Sequence, residues 1–200
     1  WIAIVAMFLA GGSFALYYRA LRGQVRPLLR STELHVYGLV VLAASATVFV
    51  VADVDTGIAD RVRDSLFAIV TVVSTTGYTT ADFGEWSQGA QVIIILLLPF
   101  GAMAGSTAGG IKFIRILAVA SYAHRAALRH LHPRLVRPVR VGDRTLPDDI
   151  AQRIVGYMIM ALAVFGGGAV LIALTGPDLT TSFSAAASSF GNVGPGLGDI

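Results

Sequence analysis

Six stretches of the sequence contain no aspartate, glutamate, lysine or arginine: residues 1–18, 34–52, 65–81, 86–111, 154–177 and 179–198. A helix needs about 20 predominantly apolar residues to cross a lipid bilayer. Four crossing helices are therefore predicted, over residues 1–18, 34–52, 86–123 and 154–177. The pattern indicates an all-α membrane protein embedded in a lipid bilayer.

The composition supports this interpretation and narrows the function. Hydrophobic residues make up 55% of the 200 residues and charged residues only 14%, whereas a soluble domain carries about 25% charged residues. The absence of cysteine excludes disulfides and thiolate metal sites. The sequence lacks the GxSxG and HExxH motifs of hydrolases, so no catalytic residue is predicted. His124, His130 and His132 stand among arginines and are expected to be solvated.

The charged residues orient the predicted helices. Residues 19–30 carry four arginines and no acid, and residues 112–144 carry Lys112 and seven arginines against the single acid Asp143. Basic loops stay on the cytoplasmic side of a membrane, so both segments are predicted to be cytoplasmic. The excess of arginine is explained by this topology, and no nucleic-acid binding is predicted.

Two of the six stretches are predicted to be re-entrant. Residues 65–81 lie between two acidic segments and residues 179–198 lie between two aspartates, so each stretch begins and ends on the outer side. Each would form a short helix and then a polar loop, which is stable at membrane depth only where protein or a water-filled cavity surrounds it. The two halves of the chain thus repeat one arrangement, with Gly77 aligned to Gly194, and this arrangement is typical of helix–pore loop–helix channels.

A polar loop follows each short helix. The first contains Thr75, Thr76 and Gly77 between Ser74 and Tyr78, and the second contains Asn192, Val193 and Gly194 before Pro195 and Gly196. Both resemble the TVGYG filter of potassium channels, in which backbone carbonyl oxygens replace the hydration shell of the cation. Neither loop has a carboxylate, which favours K⁺ over Ca²⁺. Both loops are therefore predicted to bind a monovalent cation such as K⁺ through backbone carbonyl oxygens, and the alternative is that both sequences form ordinary turns at helix ends.

A third polar segment interrupts the predicted helix over residues 86–123. Residues 99–112 contain four glycines and a proline, which break a helix. By charge order the break lies on the cytoplasmic side of the first loop, where a gate would lie. Its candidate gate residues are Gly101, Gly105, Ser106, Thr107, Gly109, Gly110 and Lys112. Two GxxxG patterns make close helix packing the alternative, and Lys112 is predicted either to extend to the cytoplasmic interface or to face the cavity.

Four stretches carry a resemblance to a known family: VSTTGYTTADFGEW (73–86), GAMAGSTAGGIKFIRIL (101–117), HPRLVRPVRVGDRTLPDDI (132–150) and SSFGNVGPGLGDI (188–200). They resemble the Trk/Ktr/HKT superfamily of potassium transporters, most closely its TrkH-type membrane subunit. The resemblance implies four helix–pore loop–helix repeats around one pseudo-fourfold pore. It also implies that the filter residues that bind K⁺ are Thr75, Thr76, Gly77, Asn192, Val193 and Gly194, and that residues 101–112 form the gating loop. It also implies K⁺ uptake across the cytoplasmic (inner) membrane by a multi-pass homodimer with a cytosolic nucleotide-binding regulatory subunit.

On this resemblance the chain divides into four parts. They are the last helix of a preceding repeat with a basic loop (1–30), a complete repeat with a broken second helix (31–130), a cytoplasmic linker (131–153) and the helix and pore loop of the next repeat (154–200). Two further filter loops and a final helix are expected outside this chain, which begins at Trp1.

Two other functions stay open from the residues alone. A coupled secondary transporter of a small solute, with its site at broken helices, predicts inverted repeats, whereas the two copies here run in the same direction. A non-conducting membrane scaffold would leave the polar loops without a purpose. A measurement of ion flux separates the three functions.

Overall fold

The computed structural model describes residues 1–53, 57–132, 138–142 and 144–198. The described residues form nine α-helices: α1 (Ile2–Ala10), α2 (Phe14–Leu21), α3 (Arg26–Leu29), α4 (Thr32–Val51), α5 (Ile58–Val73), α6 (Gln88–Leu97), α7 (Phe113–Leu131), α8 (Asp148–Ala173) and α9 (Leu179–Gly191). Two short strand pairs accompany them, β1 (Phe100–Gly101) with β2 (Ile111–Lys112) and β3 (Val139–Val141) with β4 (Arg144–Leu146).

Some of the sequence predictions fall outside the described residues. They concern Asp143, Asp199, part of the first acidic segment and parts of the motifs over 132–150 and 188–200.

Two helices, α4 and α8, are each long and apolar enough to cross a membrane. α4 begins after Ser31, whose hydroxyl oxygen accepts the backbone N–H of Leu34 at 3.3 Å, as an N-cap residue does. α8 begins at Asp148 with two acids in its first turn, which suit the positive end of the helix dipole. The predicted helices over 34–52 and 154–177 are confirmed, but residues 148–153 of the predicted linker belong to α8.

The prediction of one continuous helix over residues 1–18 is wrong. The stretch forms α1 and α2, which are bent by 102° relative to each other, and Gly11 and Gly12 lie at the break. A β-carbon on Gly11 would lie 2.4 Å from the hydroxyl oxygen of Tyr37, and one on Gly12 would lie 1.8 Å from that of Tyr17. A larger residue at either position would have to displace a tyrosine side chain that packs against the backbone there.

The path of the chain from α4 to α6 matches the predicted re-entrant stretch. α5 begins beside the end of α4, where the guanidinium of Arg61 donates to the carbonyl oxygens of Phe49 and Ala52 at 2.9 and 3.1 Å. The chain returns to the same helix end at Ser87, whose hydroxyl donates to the carbonyl oxygen of Val51 at 2.7 Å. α5 starts earlier than predicted, and every residue from Phe67 to Val73 is buried.

The second half of the chain follows the same path. α8 packs along α9 as α4 packs along α5, and the rings of Phe165 and Phe183 meet edge to face at 6.2 Å. Asp178 caps α9, and the hydrogen bonds that it accepts from Thr181 lower the pKa of its carboxyl group. After α9 the chain turns back towards the start of that helix. Gly198 lies so close to Thr181, in the first turn of α9, that a β-carbon on Gly198 would lie 2.1 Å from the Thr181 hydroxyl oxygen.

The described part of the predicted linker over residues 131–153 contains regular structure. It contains the antiparallel hairpin of β3 and β4, whose short strands were not predicted. Arg125 of α7 is buried and forms an ion pair with Asp148 of α8. This pair ties the end of α7 to the start of α8. The three histidines predicted to be solvated are exposed.

Candidate functional site

The first polar loop (residues 74–79) begins where the buried helix α5 ends. Thr75 and Gly77 both have left-handed backbone angles, with φ of 54° and 79°. The N–H of Thr76 donates to the carbonyl oxygen of Thr71 at 3.0 Å, and the hydroxyls of Ser74 and Thr76 are hydrogen bonded at 2.8 Å. The side chains of this loop thus bond to one another and to the helix end.

The second polar loop (residues 191–196) is held by serines of its own helix. The hydroxyl oxygen of Ser188 accepts the N–H of Gly194 at 3.1 Å, and that of Ser184 accepts the N–H of Leu197 at 2.6 Å. Both serines are buried. α9 is rich in serine and would be a poor lipid-facing helix. Its buried hydroxyls instead bind the backbone of the loop.

The two loops share one backbone pattern. Asn192 and Gly194 have φ of 58° and 113°, so the left-handed positions in the second loop are the same as in the first when Gly77 is aligned with Gly194. Asparagine is a residue type that tolerates this region. The alignment made from the sequence therefore agrees with the observed backbone.

The two loops also lie against each other. A β-carbon on Gly77 would lie 2.1 Å from the carbonyl oxygen of Val193 and 3.1 Å from Cδ of Pro195. Only glycine allows this approach, both for space and for its φ. Tyr78, the next residue, is 65% exposed. The ends of the two loops, at Thr79 and Gly196, line a recess of about 420 Å³ together with Asp82.

The glycine-rich loop (residues 99–112) separates α6 from α7, so the predicted helix break is confirmed. The strands β1 and β2 pair in parallel and close the base of the loop, with Phe100 opposite Ile111. A β-carbon on Gly101 would lie 1.8 Å from the carbonyl oxygen of Gly109. The alternative of a glycine-packed continuous helix is excluded, because the segment is not helical.

The glycine-rich loop contacts both polar loops. The N–H of Gly109 donates to the hydroxyl oxygen of Thr75 at 2.8 Å. A β-carbon on Gly109 would lie 2.3 Å from the carbonyl oxygen of Gly191, where α9 ends. The predicted gate residues and the predicted filter residues therefore form one contiguous cluster.

The break between α1 and α2 forms another wall of this cluster. The N–H of Met103 donates to the carbonyl oxygen of Gly11 at 3.0 Å, and the N–H of Phe14 donates to that of Gly105 at 3.0 Å. Backbone groups left unpaired where a helix is interrupted need partners, and the glycine-rich loop supplies them. The Gly11-Gly12-Ser13 sequence was the available signal for this wall, and the hydropathy pattern concealed it.

The side chain of Lys112 is half-buried and hydrogen bonded within the glycine-rich loop. Its ammonium group donates to the hydroxyl oxygen of Ser106 and to the carbonyl oxygen of Ala108, so it folds back onto the glycine-rich loop. The sequence analysis missed Glu33, whose carboxylate accepts hydrogen bonds from backbone N–H groups of Ala104 and Ile114. An acid directly after the basic segment 19–30 was the signal that could have drawn attention to it. Among the described residues, no group of three or more acidic or histidine side chains could hold a metal ion.

Comparison with known proteins identifies relatives for most of the chain. Residues 27–200 match the family model described as TrkH, a cation transport protein. The chain is 35% identical to the Trk system potassium uptake protein TrkI of Halomonas elongata over 204 residues, which cover 100% of this chain and 41% of that protein. It is 29% identical to the TrkH protein of Escherichia coli K12 over 205 residues, which cover 98% of this chain and 42% of that protein.

A solved structure has the same fold. The crystal structure of the potassium transporter TrkH from Vibrio parahaemolyticus matches with a TM-score of 0.89 and 28% identity, over 99% of this chain and 44% of that one. The prediction of an α-helical membrane protein built from helix–pore loop–helix units is therefore confirmed. The chain spans about 41% of the length of the curated relatives that it matches.

Proposed function

Because the chain belongs to the TrkH family of cation transport proteins, we propose that it supplies part of a pore through which K⁺ enters the cell. The relatives named above are potassium uptake proteins. The observation that carries the proposal is the contact between the two polar loops at Gly77 and Val193, with left-handed residues at matching positions of both loops.

The chemistry of the two loops suits a weakly hydrated monovalent cation. The proposed K⁺ ligands are backbone carbonyl oxygens of Thr75, Thr76 and Gly77 in one loop and of Asn192, Val193 and Gly194 in the other. Each loop follows the C-terminal end of a helix, α5 or α9, where the helix dipole adds about half a negative charge. A neutral ring of oxygens with such a field replaces a hydration shell without the strong binding that carboxylates would cause.

The glycine-rich loop is the proposed gate of this pore. It bonds to Thr75 in the first loop and packs on the end of α9, so it lies directly beside the proposed ion path. Its middle part, residues 104–110, contains only alanine, glycine, serine and threonine, and a segment without large apolar side chains opens at low cost. Movement of this loop would clear the path without unfolding α6 or α7.

The larger assembly is proposed from the family relationship. The protein would contain further repeats that complete the pore, with repeat boundaries near residues 31, 131 and 154 of this chain. It would function in the cytoplasmic membrane as a homodimer with a cytosolic nucleotide-binding regulatory subunit, and the basic segments 19–30 and 112–144 would face the cytoplasm.

An ion-flux measurement on the full-length protein tests the proposal. The purified protein is reconstituted into vesicles, and uptake of K⁺, Rb⁺ and Na⁺ is compared with empty vesicles. We expect uptake of K⁺ and Rb⁺ to exceed that of Na⁺. A correctly folded protein that transports none of the three ions would contradict the proposed function, and uptake that requires a small organic solute would favour a coupled transporter.

A further inference from the structure

Glu33 connects α4 to the glycine-rich loop and to the start of α7. Its Oε1 atom accepts the N–H of Ala104 at 2.7 Å and the N–H of Ile114 at 3.2 Å. Ala104 lies inside the loop, whereas Ile114 is in the first turn of α7. One carboxylate oxygen therefore binds the backbone on either side of the segment that contains Gly109, Gly110 and Lys112.

Glu33 also acts as an N-terminal cap for α7, which has no capping side chain of its own. α7 starts after Lys112 without a side-chain cap and has no acid in its first turn, so the N–H of Ile114 depends on an acceptor from elsewhere. A negative charge is favourable at a helix N-terminus, and a charged acceptor makes a stronger hydrogen bond than a neutral one. Glu33 satisfies both conditions for α7 while it lies in the first turn of α4.

The other charged group at the loop acts differently. The ammonium of Lys112 donates to Ser106 and Ala108, which both belong to the glycine-rich loop. Those bonds stiffen the loop internally and move with it. The bonds of Glu33 join the loop to α4, which packs along α5, so they must change whenever the loop moves relative to that helix.

We propose that Glu33 is the positioning residue that fixes the glycine-rich loop in its closed conformation. The proposal rests on the gating role proposed above for this loop. Ala104 belongs to the loop, whereas Ile114 belongs to α7. A shift of the loop therefore breaks the charge-assisted hydrogen bond to Ala104, while the bond to Ile114 keeps the carboxylate in place. Loss of the carboxylate therefore favours the open conformation and leaves the two polar loops unchanged.

The accessibility of a buried loop position tests the proposal directly. The chain has no cysteine, and Ala108 is 7% exposed, so Ala108→Cys reports opening of the loop. The substitution is made in the full-length protein without other reactive cysteines, and a membrane-impermeant thiol reagent is applied from the cytoplasmic side. We expect Glu33→Ala to raise the modification rate about tenfold, as fits the loss of hydrogen bonds to a charged acceptor.

A second variant and a matched control make the result decisive. Glu33→Gln keeps the shape and one acceptor oxygen, so it should fold normally and raise the rate by a smaller factor. Asp149→Asn removes an acid from the first turn of α8 and should leave the rate unchanged. The K⁺/Na⁺ preference of Glu33→Gln should equal that of the unsubstituted protein.

Two results would overturn the assignment of Glu33. One is a modification rate that stays at the unsubstituted level in both Glu33→Ala and Glu33→Gln, and the other is an equal rise in Asp149→Asn. The thiol reaction needs no ion flux, so it stays informative if the pore function is wrong. Failure of the unsubstituted protein to transport K⁺ would contradict the proposed function and leave the role of Glu33 in holding the loop to be decided by the thiol reaction.

Discussion

The backbone N–H of Gly109 donates a 2.8 Å hydrogen bond to the hydroxyl oxygen of Thr75, 34 residues earlier in the chain. Thr75, in the first polar loop, has a φ of 54°. This conformation is unusual for threonine and costs free energy, so it persists only where surrounding contacts hold it. The hydrogen bond joins the proposed gate to the proposed filter. The Thr75 side chain is therefore expected to help hold the glycine-rich loop against the first polar loop.

Thr75→Val should weaken that connection with little change of side-chain shape. It leaves the half-buried N–H of Gly109 without its acceptor, which costs about 1 kcal/mol, the usual contribution of one hydrogen bond. We expect a lower unfolding temperature of the full-length protein and a higher basal K⁺ flux. Thr75→Ser keeps the hydroxyl and is the control, and equal flux in the two variants would exclude a role for this hydrogen bond.

Gly109→Ala should displace the glycine-rich loop from the end of α9. The new β-carbon would lie 2.3 Å from the carbonyl oxygen of Gly191, and overpacking of this kind costs about 1–3 kcal/mol. Gly167→Ala is the matched control, because its β-carbon meets no atom within 4 Å and alanine favours a helix by about 0.5–1 kcal/mol. Thermal unfolding should show a loss of stability for the first variant and none for the second.

The sequence was sufficient to predict the features that depend on local pattern. Charge-free stretches predicted α4 and α8. Glycines predicted the helix break and the alignment of Gly77 with Gly194. It did not reveal the break between α1 and α2, because Gly11 and Gly12 lie in an uncharged run where hydropathy stays high. Contacts such as that of Glu33 with Ala104, 71 residues apart, depend on tertiary folding, which periodicity does not report.

The length of the short helices is another instructive difference. α5 begins at Ile58, before the charge-free stretch that predicted it. The charge-free stretch was too short because the first turns of the helix contain Arg61 and Arg63. Arg61 donates to carbonyl oxygens at the end of α4, and Arg63 pairs with Asp60. Charged residues paired in this way are compatible with a helix that enters the membrane region, and a count of charges alone could not predict the pairing.

Ser188→Ala should disturb the second polar loop. It removes the acceptor for the N–H of Gly194, so the backbone of that loop loses a fixed position. We expect a lower K⁺/Na⁺ preference in vesicle flux, together with a stability loss of about 1–3 kcal/mol. Ser189→Ala alters the exposed neighbouring serine and should have no effect. If the two variants discriminate between ions equally well, the serine is not needed for the geometry of the loop.

Removal of the gate should increase transport. Deletion of residues 104–109 in the full-length protein removes the donors to Glu33 and Thr75 and clears the proposed path. We expect K⁺ flux to rise severalfold and to depend less on the regulatory subunit, with a milder rise in Lys112→Ala. Membrane insertion and the elution profile of the purified variants are checked first. A well-folded deletion variant that conducts at the unsubstituted rate would show that the loop serves packing.

The central claim is that the backbone of the two polar loops selects the ion, and Gly77→Ser in the reconstituted full-length protein tests it most directly. Gly77 has a φ of 79° beside the carbonyl oxygen of Val193, whereas Gly23 has a φ of 81° with no atom within 4 Å of its β-carbon position. Both variants carry the same backbone strain of about 1–2 kcal/mol, but only the first should move a proposed ligand. The K⁺/Na⁺ flux ratio is predicted to fall about tenfold in Gly77→Ser and to stay unchanged in Gly23→Ser. An unchanged ratio in a folded, inserted Gly77→Ser protein would contradict the account.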